Sequence, residues 1–116
     1  MSKIVEIGTR KHTVVSVLDE PGQGNACHEY AIHDAKGHIL GRVSFQNGPI
    51  GDVGVNGVHN EDLLAIVAHR LQGFQSGPYS CRENSLALTK IQEGLHWLRH
   101  RTDARESRGV EGTHEV

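Results

Sequence analysis

The chain has 116 residues and a mass of 12.7 kDa, which fits one small domain or a domain with an appendage. Its 12 Lys and Arg against 14 Asp and Glu give a formal net charge of −2, whereas proteins that bind long nucleic acid are usually basic. No stretch approaches the roughly 18 apolar residues that span a bilayer, and the N-terminal segment lacks the apolar core of a signal peptide. We therefore expect a cytosolic protein without a membrane or a long nucleic acid as partner.

The first half of the chain, residues 1–59, has the pattern of a small antiparallel β-sheet. A β-branched run at 11–18 ends at a turn cluster of Asp, Pro and Gly, and residues 28–34 alternate between apolar and polar. A lysine-glycine turn leads into a third run at 38–46, so the second and third runs predict a hairpin. The glycine-rich segment that follows contains Asn56-Gly57 between two valines, a strong turn signal. We expect three or four strands.

The second half, residues 60–108, predicts two helices. Asn60 has the character of an N-cap, and apolar residues then recur at helical spacing until a Gly-Pro pair after residue 76. Ser80 and Glu83 fit a capping box that starts the second helix. Because the connection is short, the helices should form an antiparallel hairpin. Gly94 in mid-helix suggests that another backbone approaches closely there.

The expected fold class is therefore α+β, with a small antiparallel sheet followed by an antiparallel two-helix hairpin. The boundary between the halves falls near His59, and the tail at 109–116 has no periodicity and is expected to be mobile unless a partner orders it. Only 36% of the residues are hydrophobic and five are aromatic, so the core of a monomer should be thin. Proteins of this size often gain stability by self-association.

The residue pattern offers little support for metal or covalent chemistry. His96 and His100 are four residues apart and would share a helix face, but no HExxH motif or local Cys or carboxylate cluster completes a site. Cys27 and Cys81 lie far apart, and neither has an identifiable base and orienting group. Solvated histidines and reduced, partly buried thiols are the simpler interpretation. We expect no metal, no cofactor and no catalytic residues.

The end of the last helix is rich in arginine, with Arg99, Arg101, Arg105 and Arg108 within ten residues. One interpretation is a solvated helix end, since cations are favoured at the negative end of the helix dipole. The other is an anion site, because guanidinium groups bind phosphates bidentately and Phe74 could stack on a purine nearby. Composition alone leaves both open.

Residues 80–98, SCRENSLALTKIQEGLHWL, resemble a helix shared by two groups of phage sponge proteins. One group sequesters the cyclic ADP-ribose signal of Thoeris defence, and the other sequesters the cyclic oligonucleotides of CBASS defence. Residues 45–50, 53–58 and 73–78 are similar to the anti-Thoeris group, whose members place a β-rich part before the hairpin. The resemblance covers about residues 28–114.

This resemblance implies a non-catalytic phage protein that binds a glyco-cyclic ADP-ribose in the cytoplasm of the infected bacterial host. The family assembles through its hairpins, as a hexamer in known members, with pockets between protomers. By motif position, Phe74 would pack on the ligand base, Asn84 would lie beside it and Arg101 would bind a phosphate. Arg82 lies where related sponges contact cyclic trinucleotides. An arginine of the β half also belongs to the family's site, and Arg42 is the candidate in the matching stretch.

Three hypotheses follow. The first is a homo-oligomeric sponge for signalling nucleotides, with glyco-cyclic ADP-ribose as ligand and cyclic di- or trinucleotides as further ligands. The second is a small enzyme that hydrolyses the same signal. The third is a protein-interaction module whose hairpin docks a host or phage partner and binds no small molecule.

Overall fold

The computed structural model describes residues 5–9, by their backbone, and residues 11–109. The chain divides into two compact units, Met1–Val58 and His59–Val116. The first contains the sheet and the second contains two long helices. The α+β fold class predicted from the sequence is confirmed.

The sheet has four antiparallel strands in the order of the chain: β1 (Val5–Thr9), β2 (Thr13–Val17), β3 (Glu29–Asp34) and β4 (Ile39–Ser44). Three of them match the three runs identified in the sequence, and β1 precedes those runs. Each strand pairs with its predecessor, so all connections are local.

Two aspartates close the connections between strands. Asp19 follows β2, and its carboxylate accepts the backbone N–H groups of His28 (2.9 Å) and Glu29 (3.2 Å) at the start of β3. Asp34 ends β3, and its carboxylate accepts the N–H groups two and four residues ahead, both at 2.9 Å. The hydrogen bond from His28 lowers the pKa of Asp19, and the hydrogen bond from His38 lowers the pKa of Asp34.

The core is thin, as the composition predicted. In the sheet, Ser16 and Ala31 lie directly opposite each other and are buried, together with Val17. The buried hydroxyl of Ser16 has a partner, because its Oγ lies 3.1 Å from His33 Nε2. Among the described residues, no large side chain is completely buried. Hydrogen bonds in the connections therefore contribute more to the stability of this sheet than they would in a sheet with a large buried core.

The segment after β4 is not the hairpin that Asn56-Gly57 predicted. It contains a single helical turn, α1 (Ile50–Val53), and then returns so that Val58 forms a parallel bridge with Phe45. The Asn56 side chain is the physical reason, because its Oδ1 accepts the N–H of Asn47 (2.8 Å) and its Nδ2 donates to the carbonyl of the same residue (2.7 Å). The amide thus pairs with a distant backbone instead of closing a tight turn.

We expect Gly57→Ala to destabilise this unit by about 2–4 kcal/mol. A Cβ at Gly57 would lie 2.5 Å from the carbonyl oxygen of Phe45 and 2.7 Å from the backbone N of Gln46, and neither atom can move without breaking the bridge. Urea unfolding measures the change. Gly41→Ala is the control, since its Cβ would only touch Ile32 at 4.0 Å; equal stabilities for the two variants would contradict the prediction.

The helical unit consists of α2 (Asn60–Gln75) and α3 (Arg82–Arg108), which pack against each other as a pair. The bounds of both helices lie close to the predicted positions, but the N-cap of each helix is not the predicted residue. His59, not Asn60, is the N-cap of α2, and its backbone N–H donates to Asp62 Oδ2 (2.9 Å). Cys81, not Ser80, caps α3, because Cys81 is the extended residue and its Sγ accepts the N–H of Asn84 (3.4 Å).

Gly94 lies within α3, and a Cβ built on it would meet nothing within 4 Å. The close backbone approach that its presence suggested does not occur within the described part of this chain. Gly109 ends α3 in the left-handed conformation (φ 75°), and the rest of the predicted tail lies outside the described residues. None of the described helices combines the length and the apolar character needed to cross a membrane.

We expect the stability that the Asp19 carboxylate contributes to disappear in acid. A lowered pKa in the folded state means that the contribution is fully present above the unfolded value of about 3.9 and is lost as pH falls through the folded value. The difference in unfolding free energy between the wild type and Asp19→Asn should therefore be largest at neutral pH. It should decrease as the pH falls below the pKa of a free aspartate carboxyl.

Urea titrations at a series of pH values test this. Glu20→Gln is the matched control, since it removes an adjacent exposed carboxylate that accepts no N–H group among the described contacts. A gap between wild type and Asp19→Asn that is constant with pH would show that the hydrogen bonds to Asp19 do not depend on its charge.

Candidate functional site

The turn between α2 and α3 gathers aromatic, cationic and amide side chains. We call Arg70, Phe74, Tyr79, Arg82 and Asn84 the hairpin-turn cluster, because the last turns of α2, the connection and the first turn of α3 supply them. The Phe74 and Tyr79 rings meet edge to face, with centroids 6.2 Å apart. The Cζ atom of Arg70 lies 5.0 Å from the centroid of the Phe74 ring.

Local hydrogen bonds fix this turn. α2 ends at Gln75, whose side-chain Oε1 accepts the backbone N–H of Cys81 (3.0 Å). Cys81 then caps α3 through its Sγ, as described above. Cys81 therefore links the end of α2 to the start of α3, since its N–H bonds Gln75 and its Sγ bonds the N–H of Asn84. This places Phe74, Arg82 and Asn84 at the same end of the helical unit.

Two cations of the hairpin-turn cluster are exposed. Arg70 and Arg82 face solvent, and within the described residues neither guanidinium forms an ion pair with a carboxylate. Tyr79 is 73% exposed, whereas Phe74 and Asn84 are half-buried. The cluster can therefore offer positive charge, an aromatic face and an amide to a ligand from solvent.

The other end of α3 carries Arg99, Arg101, Arg105 and Arg108, which we call the C-terminal arginines. Arg101 is exposed, as an anion-binding residue would be. Arg105, four residues further on, is only 6% exposed, so the interpretation as a solvated helix end does not hold for this residue, whereas Arg99 and Arg108 are exposed. A guanidinium is buried only where its surroundings compensate the loss of water.

The two groups of side chains are far apart. Asn84 and Arg101 are separated by 17 positions of one continuous helix, which corresponds to about 25 Å along its axis. A cyclised nucleotide with two phosphates is much shorter than this. Of the four residues named from the sequence, one chain thus places Phe74, Asn84 and Arg82 near one another, and it does not bring Arg101 to them.

The thiols have ordinary structural surroundings. Cys27 is half-buried, and burial, followed by the charges of Asp19 and Glu20, raises the pKa of its thiol, which disfavours the nucleophilic thiolate. Cys81 is exposed, and its Sγ serves as the cap of α3. Their positions assign both cysteines to local structure.

The histidine pair on α3 is arranged around an aromatic ring. His96 and His100 contact the Trp97 ring edge to face, with centroid separations of 5.3 and 5.7 Å. Within residues 11–109 no group of three or more His, Cys, Asp or Glu side chains is suited to hold a metal ion. Arg42, the candidate arginine of the β half, is exposed on β4.

Sequence reasoning missed two members of the hairpin-turn cluster. Arg70 is four residues before Phe74, and this spacing on a helix predicts contact between the two side chains. The sequence signal was therefore present for Arg70. Tyr79 lies in the connection, where its direction depends on how Gly77 and Pro78 turn the chain, so spacing alone could not place it.

The fold and the site together define a class: a small α+β protein in which a four-stranded sheet precedes a two-helix unit with a cationic and aromatic turn. Comparison with known proteins narrows this class. The family model "Acb2/Tad1, hairpin domain" matches residues 38–103, more than half of the chain.

A curated relative, "Thoeris anti-defense 1" of Bacillus phage SBSphiJ7, is 51% identical over 94 residues. The alignment covers 81% of this chain and 66% of that protein, so the chain spans slightly less than two thirds of the relative's length. The chain belongs to the Acb2/Tad1 hairpin-domain family, which confirms the family membership inferred from residues 80–98.

Proposed function

We propose that this protein is a phage counter-defence protein that binds a glyco-cyclic ADP-ribose of bacterial Thoeris defence in the infected cell and holds it without degrading it. Family membership and the name of the Bacillus phage relative support the counter-defence role. The hairpin-turn cluster carries the proposal for the ligand, because it combines an aromatic ring with two exposed arginines. These groups suit a ligand that contains a purine and two phosphates.

Within the proposed site, Phe74 stacks on the base, Asn84 bonds the base edge and arginines bind the phosphates. The half-buried Phe74 offers a rigid ring surface, and the Asn84 side chain has both a donor and an acceptor. Arg82 is the exposed first residue of α3, so its charge adds to the positive end of the helix dipole, which favours an anion.

The ligand site includes residues of two copies of the chain. Arg101 lies about 25 Å along α3 from Asn84, so both can contact one ligand only if Arg101 comes from a second protomer. Exposed apolar side chains on the helical unit also favour association: Ile66 and Trp97 are each 65% exposed, and Leu86 is 48% exposed. We propose a homo-oligomer, a hexamer by resemblance, with Gly94 at a contact between copies.

Sequestration requires tight binding and no turnover. To remove a signal present at micromolar concentration, the Kd must be about 1 nM, or about −12 kcal/mol. A pocket between protomers can reach this by excluding water from the arginine–phosphate contacts. The raised pKa of Cys27 disfavours its thiolate and argues against this residue as the nucleophile of a covalent hydrolytic step.

The first experiment is titration calorimetry with glyco-cyclic ADP-ribose, followed by heat denaturation of the complex and chromatography of the released ligand. We expect tight binding and intact ligand, because a sponge returns what it has bound, whereas an enzyme returns product. Phe74→Ala should weaken binding by about 5- to 150-fold, which corresponds to about 1–3 kcal/mol for a stacked base. Gln72→Ala, which changes an exposed residue of the same helix, should bind like the wild type.

A recovered hydrolysis product would identify an enzyme instead. If the wild type does not bind this ligand, cyclic di- and trinucleotides are the next probes, and a positive result would assign the protein to CBASS signals. Absence of binding to all of them would favour a protein-interaction module, in which the exposed Ile66 and Trp97 contact a protein partner.

We also expect two inactive variants to restore binding when they share one oligomer. Phe74→Ala and Arg101→Ala are co-expressed with different affinity tags, and mixed oligomers are purified by both tags. If one copy supplies Phe74 and its neighbour supplies Arg101, some pockets in the mixture are wild type in both residues. These pockets should bind with wild-type affinity at reduced stoichiometry.

Each variant alone is the control, and circular dichroism verifies that both are folded. Continued weak binding in the mixed oligomers would show that both residues act from the same protomer, and wild-type binding by Arg101→Ala alone would show that Arg101 is not part of the pocket. A wild type that is monomeric by light scattering would contradict the shared site directly.

A further inference from the structure

Arg70 is the arginine of the hairpin-turn cluster that contacts the Phe74 ring. Its guanidinium covers the ring of Phe74, with 5.0 Å between Cζ and the ring centroid, and the side chain is exposed. Among the described residues it forms no ion pair with a carboxylate. The ring that would receive a base is therefore occupied, in the free chain, by a cation from one helical turn earlier.

We propose that Arg70 is a phosphate-binding residue of this site that shields the Phe74 ring until the ligand arrives. The proposal rests on the function proposed above. When the base of the ligand stacks on Phe74, the guanidinium leaves the ring and binds a phosphate of the same ligand.

This exchange of partners is favourable for a physical reason. A cation–π contact at an exposed site is weak, whereas a charge-assisted hydrogen bond to a phosphate is among the stronger contacts available to an arginine. The guanidinium is also held close by its backbone, since positions four apart on a helix are neighbours on one face. Arg70 therefore needs only a change of side-chain rotamer to reach a phosphate attached to the stacked base.

The backbone at the end of α2 and in the connection is open at two glycines. Gly73 precedes Phe74, and a Cβ built there would meet nothing within 4 Å. A Cβ at Gly77 would meet only the carbonyl oxygen of Gly73, at 3.8 Å. Two positions of the chain next to Phe74 and in the connection thus carry no side chain, which leaves the backbone of the turn open to a ligand.

Calorimetric titration of the whole chain with glyco-cyclic ADP-ribose tests this proposal in the wild type and three variants. We expect Arg70→Gln to weaken binding about 10- to 100-fold, the range for one charge-assisted contact. Arg70→Lys should lie between Arg70→Gln and the wild type, because lysine keeps the charge but lacks the planar fork. Lys90→Gln is the matched control, since it removes an exposed cation of α3 that pairs with Glu93, and it should bind like the wild type.

Ionic strength provides the readout that a merely structural role would not change. Because salt screens a cation–phosphate contact, the ratio of wild-type to Arg70→Gln affinity should decrease as salt rises from about 0.05 to 1 M, where the Debye length falls to about 3 Å. Thermal unfolding of the free variants verifies that Arg70→Gln leaves the helical unit folded, as expected for one good helix former replaced by another.

The outcomes separate the proposals. If the wild type binds the ligand and Arg70→Gln binds it equally well or more tightly, the role of Arg70 is overturned and the proposed function stays intact. Tighter binding by Arg70→Gln would mean that Arg70 only competes with the base. A loss in Arg70→Gln that is equally large at all salt concentrations also overturns it. A wild type that does not bind overturns the proposed function and this inference with it.

Discussion

The hydrogen bonds across the turn between α2 and α3 determine where the chemically useful side chains of this protein lie. Gln75 Oε1 accepts the N–H of Cys81, and Cys81 Sγ accepts the N–H of Asn84, so the end of one helix and the start of the next are joined through a single residue. The link adds to the backbone hydrogen bonds within the connection, such as Ser80 N–H to the carbonyl of Gly77 (3.3 Å), and to the packing of α2 against α3. A cysteine in this place acts as a polar cap, which explains its position better than reactivity does.

The sheet unit depends on the same principle, because its core is too thin to order its loops by packing. The carboxylates of Asp19 and Asp34 close two connections, and the amides of Gln46 and Asn56 close the segment after β4. Gln46 alone donates to the carbonyls of Gly48 and Gly54 and accepts the N–H of Asn56. In a small chain with few large apolar residues, such side-chain contacts to the backbone replace part of the missing hydrophobic burial.

Much of this architecture could be predicted from the sequence because periodicity reports burial directly. The strands β2 to β4 and both long helices follow from alternating and helical patterns that no tertiary contact overrides. The turn predicted at Asn56 does not form, because the Asn56 amide bonds the backbone of Asn47, nine residues earlier. A rule based on neighbouring residues does not include such a contact. Both N-caps shifted by one residue, since the cap is decided by which backbone is extended and not by side-chain preference alone.

Some features of the candidate site could also be predicted from the sequence, and others could not. A short connection predicts that Phe74 and Asn84 lie near each other, and their roles toward a ligand stay predictions. Two features were beyond reach: the burial of Arg105, which depends on tertiary surroundings, and the direction of Tyr79, which depends on the turn. The separation of Asn84 and Arg101 could have been calculated from the length of the predicted helix.

The length of α3 has a consequence for how the protein would perform the proposed function in a cell. If the pocket needs groups from both ends of this helix, and those groups come from different copies, then an isolated chain has no complete pocket. Binding capacity would then increase more steeply than the amount of protein made, because each pocket requires two molecules to meet. Early in expression the chain would be nearly inert, and it would become effective over a narrow range of concentration set by the affinity between protomers.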